Sequence, residues 1–305
     1  MANNRTLLLL ARTINGIAAG GQVSASITAG YENSIRSAPD GLQLPVIDLD
    51  TQFVRGGMTT EDWVHVIELL TGTVGTDVFY ERKSSITATT GYIKHTLNNP
   101  VVYRAGLSQS QGQHLRASCS YECRFAAANT AWTDVWVITD AQAAPTYVSA
   151  ARGGWRVTEA VFDPSGTPIT IGHVLSFNLD IVMQLVKACN DADLGYTAVD
   201  ALPEAGMAIT GSLVTQDHSV SASAMLVSRL IAAGRKSLQL TVASSEGAAS
   251  KVITIAGVLF GTLAQAPSGD GRYNADTLNF MVGNSTTTPL TLAGDNTVIT
   301  IADES

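Results

Sequence analysis

Apolar and polar residues alternate one by one along much of this chain, and a period of two marks a strand with one buried face. Residues 23–28 (Val-Ser-Ala-Ser-Ile-Thr) alternate in this way, as do residues 175–182, 238–242 and 252–255. Residues 46–50 read as a further strand, entered through Pro45. Residues 132–138 and 155–162 look like strands too, with a turn at Asp163, Pro164, Ser165 and Gly166. A mainly β chain follows.

Two segments carry helical spacing instead. The first is expected from about residue 60 to 70, where Trp63, Val66, Ile67 and Leu70 fall on one face. Thr59 or Thr60 caps its first amides, Glu61 and Asp62 suit the positive end of its dipole, and Gly72 supplies a left-handed stop. The second is expected from about residue 222 to 233. Ser221 or Ser223 is its cap, Leu226, Leu230 and Ile231 form its face, and Gly234 ends it.

The surroundings of the two helices repeat. Each is followed by a strand, a second strand, and a loop into a further strand. In the first half these are residues 77–80, 92–103, the loop 106–112 and residues 115–125. In the second half they are residues 238–242, 252–260, the loop 264–271 and residues 273–282. The offset is about 150–160 residues, a period of one domain, which implies duplication rather than a solenoid. Residues 126–171 match nothing in the other half and read as an added hairpin or connector.

Charged residues make up 14% of the chain, against about 25% in ordinary soluble domains. Much of the surface is therefore neutral and polar, and either lies against other subunits or is simply uncharged. The net charge of −8 and the lack of any basic run exclude tight phosphate binding. The apolar run at residues 7–11 is flanked by Arg5 and Arg12. It falls short of the roughly 20 residues a membrane helix needs, and it lacks the form of a signal peptide. A cytoplasmic chain without membrane insertion is expected.

No constellation for chemistry stands out. Cys119, Cys123 and Cys189 are odd in number and lack zinc spacing, so small buried hydrophobes in a reducing compartment are expected. His65, His95, His114, His173 and His218 form no ligand motif and are read as surface or hydrogen-bonded residues. Asp48 and Asp50 share a strand face, but one carboxylate pair without further oxygens is weak support for calcium. The Gly-containing turns fit neither a phosphate loop nor a nucleophile elbow. No catalytic, cofactor-binding or metal-ligating residue is expected, and the chain is read as a non-enzyme.

One ordered pattern lies near the C-terminal end. A strand at residues 237–242 leads to residues 251–260, then a turn at 267–271, a long strand at 276–282, and closing strands at 289–292 and 298–301. Over about residues 209–302 this resembles the bacteriophage major tail tube proteins. The likeness is weaker in the first half and absent over residues 126–171. It implies two similar β-sandwich or barrel domains, residues 1–125 and 172–305, each with one packed helix. It further implies that copies pair sheet edges into rings that stack into a hollow tube, in a virion tail assembled in the host cytoplasm. Three duplicated chains would mimic a hexamer, and a ring of six chains is the other arrangement. The partners implied are further copies, other tail proteins (tape measure, terminator, baseplate) and DNA in passage during ejection. Strands near residues 23–35 and 175–186 are the candidates to line the lumen. Glu32, Asp180, Asp191 and Asp193 would make it weakly negative, a wall past which DNA slides; the plainer reading makes them ordinary solvated acids. A distal-tail or baseplate ring, or a β-sandwich host- or carbohydrate-binding module, are the alternatives. The 6% aromatic content argues against the last.

Overall fold

The computed structural model describes residues 9–14, 17–18, 22–36, 46–70, 76–82, 90–125, 131–143, 154–188, 198–202, 206–217, 220–221, 224–245, 249–266, 275–284, 290–291 and 297–303. The first half carries β1 (Leu9–Ile14), β2 (Ile17–Ala18), β3 (Gln22–Arg36), β4 (Val46–Thr60), α1 (Trp63–Leu70), β5 (Thr76–Arg82), β6 (Thr90–Asn98), β7 (Pro100–Gln109), β8 (Arg116–Cys123), α2 (Trp132–Val135) and β9 (Trp136–Ala143). The second half opens with β10 (Arg156–Phe162), β11 (Ile169–Ile171), β12 (Val174–Val182), β13 (Gln184–Ala188), β14 (Ala198–Leu202) and β15 (Ala208–Thr215). It continues with β16 (Val220–Ser221), β17 (Ala224–Met225), α3 (Leu226–Ala232), β18 (Lys236–Ala243), β19 (Ser250–Ala266), β20 (Ala275–Val282) and β21 (Ile299–Asp303). The protein is mainly β, with antiparallel sheets and few helices.

The period-two segments form strands where the pattern predicts them, because alternation lets each bury one face. Along β12, Phe177, Leu179 and Ile181 are buried while Asn178 is exposed. A twelve-stranded sheet runs in the order β11-β10-β18-β19-β20-β15-β12-β7-β8-β4-β3, with β21 paired to β19. A five-stranded sheet runs β2-β1-β5-β6-β9, and two short ribbons pair β13 with β14 and β16 with β17. One apolar core joins the two larger sheets.

The helix α1 buries the predicted face, Trp63, Val66, Ile67 and Leu70, and lies against β7 and β8. The Asp62 N–H donates to Thr60 Oγ1 (3.0 Å), so Thr60 turns the chain out of β4 toward the helix. Gly72 lies outside the described residues. The second helix, α3, is shorter than predicted. Residues 224–225 pair as β17, and Met225, whose side chain makes no cap hydrogen bond, stands at its N-terminal boundary. Leu226 and Leu230 are buried but Ile231 is 49% exposed, off the expected face. Gly234 ends the helix at φ +69, as its place predicts.

Two further expectations are corrected. Residues 132–138 are not one strand. The Asp134 carboxylate accepts the Ala131 N–H (2.9 Å) and Gln52 Oε1 accepts the Trp132 N–H (2.8 Å), which holds residues 132–135 as the single turn α2 before β9 begins. Residues 92–103 are not one strand either. Asn99 sits at φ +51 and divides β6 from β7, a conformation Asn tolerates better than most residues. Of the strand expected at residues 289–292 only residues 290–291 are described, and Thr291 makes an isolated bridge to Thr297.

Within the stretch 126–171 the described strands belong to both larger sheets, β9 to one and β10 and β11 to the other. Its β9 lies on β6 as β21 lies on β19. Its β10–β11 hairpin lies on β18 as the β1–β2 hairpin lies on β5. The other pairings recur in the same way. β5–β6 matches β18–β19, β7–β8 matches β19–β20, β8–β4 matches β20–β15, and β4–β3 matches β15–β12.

Candidate assembly surface

The first half and the second meet by backbone pairing. β7 is antiparallel to β12, with Gln109 opposite Phe177, Gly106 opposite Asp180 and Arg104 opposite Val182. On the core side of this joint Ala105, Leu107, Leu179 and Ile181 are buried. On the other side the Arg104 guanidinium donates twice to the Asp180 carboxylate, both bonds at 2.9 Å. Asp180 thereby holds Arg104 above its already high ordinary pKa. Gly106 has no side chain to crowd this pair. Asp180, a predicted lumen residue, is therefore neutralised by a cation 76 residues away in sequence, which no local pattern announced.

The side of the sheet that faces away from the core is largely polar, and two of its arginines are paired there, Arg55 with Glu122 (2.8 Å) and Arg104 with Asp180 (2.9 Å). Ser26 and Thr28 on β3, Ser118 and Ser120 on β8, Asn178 on β12 and Ser212 on β15 all lie exposed or half-exposed there. Two shallow depressions open on it, one at Arg104, Ser120 and Asp180, the other at Asn178, Ser212 and Asn279. Met281, 57% exposed, is a large apolar exception.

The two halves match in detail around this surface. Thr60 and Thr215 are fully buried, and their hydroxyls accept the N–H of Asp62 and Asp217 respectively. Gly56 lies opposite Tyr121 and Gly211 opposite Phe280, and in both places an aromatic ring fills the space a Cβ would need. β7 shifts register against β8 between Val102 and Arg104, and β19 shifts against β20 between Phe260 and Thr262. Asn99 and Gly257, each at positive φ, stand at equivalent points before these bulges.

Among the open edges of the described residues, which include β2, β9, β11 and β21, two stand in the places that β12 and β7 hold at the joint. β3 ends the twelve-stranded sheet, with β4 on one side and no strand on the other. Its Ser24, Ala25, Ser26, Thr28 and Tyr31 are exposed. Beyond Gly261, β19 has β20 on one side and no strand on the other.

Of the remaining predicted lumen residues, Glu32 is placed in β3 by its backbone, and Asp191 and Asp193 lie outside the described residues. The side chains of Asp48 and Asp50 also lie outside them, as does Cys189. Cys119 and Cys123 are free and buried. Burial, then the charges of Asp77 and Glu122, push the Cys123 thiol far up, which disfavours a thiolate nucleophile. His95 is buried, stacks on Phe79 at 4.3 Å and accepts the Trp136 indole N–H (3.1 Å), a hydrogen-bonded core histidine. Among the described residues no group of three or more His, Cys, Asp or Glu could hold a metal ion, and no helix is long and apolar enough to cross a membrane.

No protein-family model matches this chain, and no curated protein matches it.

Proposed function

We propose that this chain is the structural subunit of a phage-type tail tube, built of two similar β-sandwich or barrel domains that arose by duplication. The observation that carries this reading is the β7–β12 joint. Two halves with the same strand pairings meet edge to edge, and each half leaves a matching edge open. A bare strand edge is a liability in a monomer and a joint in an assembly, where the next copy completes its hydrogen bonds. In this reading the polar face lines the lumen. With Asp180 paired to Arg104 and Glu122 to Arg55, its charges largely cancel, so it offers DNA phosphates neither a cluster of free cations to stick to nor a dense negative wall. The chain works in the virion tail with other tail proteins, and it performs no catalysis.

Negative-stain electron microscopy of the purified protein, dilute and then concentrated, tests this. Hollow tubes with a regular axial repeat are expected. Closed rings that never extend would shift the reading to a distal-tail or baseplate component, and monomers alone at high concentration would overturn it.

A further inference from the structure

We propose that β3 of one copy pairs antiparallel with residues 262–266 of β19 in the next copy, in the register that β12 keeps with β7. The inference rests on the assembly reading above, and it adds which edges meet and residue by residue how. The repeated pairings supply the register. Ser26 lies opposite Gly57 as Asn178 lies opposite Ser212, and Thr28 lies opposite Arg55 as Asp180 lies opposite Thr210. β3 therefore stands in the first half where β12 stands in the second. On the other strand, Arg104 lies opposite Ser120 as Thr262 lies opposite Asn279, just past the matching bulges. Residues 262–266 of β19 thus stand where the paired part of β7 stands. Superposing these equivalences places Ser26 opposite Ala266, Thr28 opposite Ala264 and Gly30 opposite Thr262.

The joint is head-to-tail, because the two edges are different surfaces. Such contacts close into a ring or run on as a filament, according to the rotation between copies. It also lacks the ion pair of the internal joint. Thr262 and Thr28 take the places of Arg104 and Asp180, and neither carries charge.

Directly opposite residues of an antiparallel pair have Cα atoms about 4.5–5.5 Å apart, within the range a disulfide bridges. The variant Thr28→Cys/Ala264→Cys, assembled and mildly oxidised, is expected to convert most of the chain to covalent multimers that end in one closed species. The parent chain is the blank. Thr28→Cys/Leu263→Cys is one residue out, so its thiols point to opposite faces of the sheet, and it is expected to stay uncrosslinked. Mixing the single variants Thr28→Cys and Ala264→Cys is expected to give a dimer that neither gives alone. The mixture needs only one change per chain and so guards against a double variant that folds poorly. Dimers from Thr28→Cys alone would indicate a symmetric contact and overturn the proposal. Tubes or rings in the microscope without in-register crosslinks overturn this joint and leave the tube reading standing. Absence of any assembly overturns both.

Discussion

At Gly56 and Gly211 the sheet admits no side chain. An added Cβ would run into Tyr121 at the first position, and into Phe280 and the Asn178 carbonyl at the second. Substituting Val at either is expected to cost about 1–3 kcal/mol through overpacking, read as a lower urea midpoint with an unchanged slope. Elsewhere the backbone bends and a charge holds it. Asp163 sits at φ +57, and Lys236 Nζ lies 3.1 Å from its carboxylate. The hydrogen bond from Lys236, then that from the Thr167 N–H, hold Asp163 below the usual aspartate pKa. Its stabilising effect is therefore present above about pH 3.9, the ordinary aspartate value, and lost as pH falls through the lowered folded-state value. Asp163→Asn keeps a residue that tolerates positive φ. It is expected to melt below the parent at neutral pH, and the gap is expected to close in acid, followed by melting temperature against pH.

Helix α1 was legible because its four apolar residues lie at helical spacing, and their burial depends on little else. Residues 132–138 were not, because a remote Gln52 and a local Asp134 select a turn that the apolar pattern does not encode. β10 was visible as a strand and β9 only in its first three residues, and the place of both in the repeat was hidden. Equivalent strands here share partners rather than sequences, so element order is a better guide than identity. Asp180 was singled out and Arg104 was not, since strands distant in sequence bring the two together. The pair is solvent-exposed, with Arg104 at 58% side-chain exposure, so its coupling is expected to be small. A double-mutant cycle with Arg104→Met and Asp180→Asn is expected to give about 0.2–1 kcal/mol, shrinking as salt is added. The proposed joint between copies has no such pair, and crosslinking through Thr28→Cys/Ala264→Cys is expected to be unchanged in 1 M NaCl.

Across the whole molecule the two halves share one sheet. The strands β3, β4, β8, β7, β12, β15, β20 and the far part of β19 run side by side without interruption. If three copies close, roughly 24 strands at ~4.8 Å spacing and ~40° tilt make a backbone circle of roughly 48 Å, wider than the 16–18-stranded barrels that already leave an aqueous channel. End-on averages from electron microscopy check this figure, and a circle near twice that size would point to six copies.

The β7–β12 joint also bears on how such a ring is born. In a single-domain subunit every seam must be found by diffusion, and the growing arc can fall apart at each one. In the proposed ring half the seams form as the chain folds, tethered at an effective concentration no dilution can lower. A closed ring then needs half as many encounters. Its appearance is expected to rise less steeply with protein concentration than it would for the same two halves supplied as separate chains, which gives the tethered chain a shorter lag.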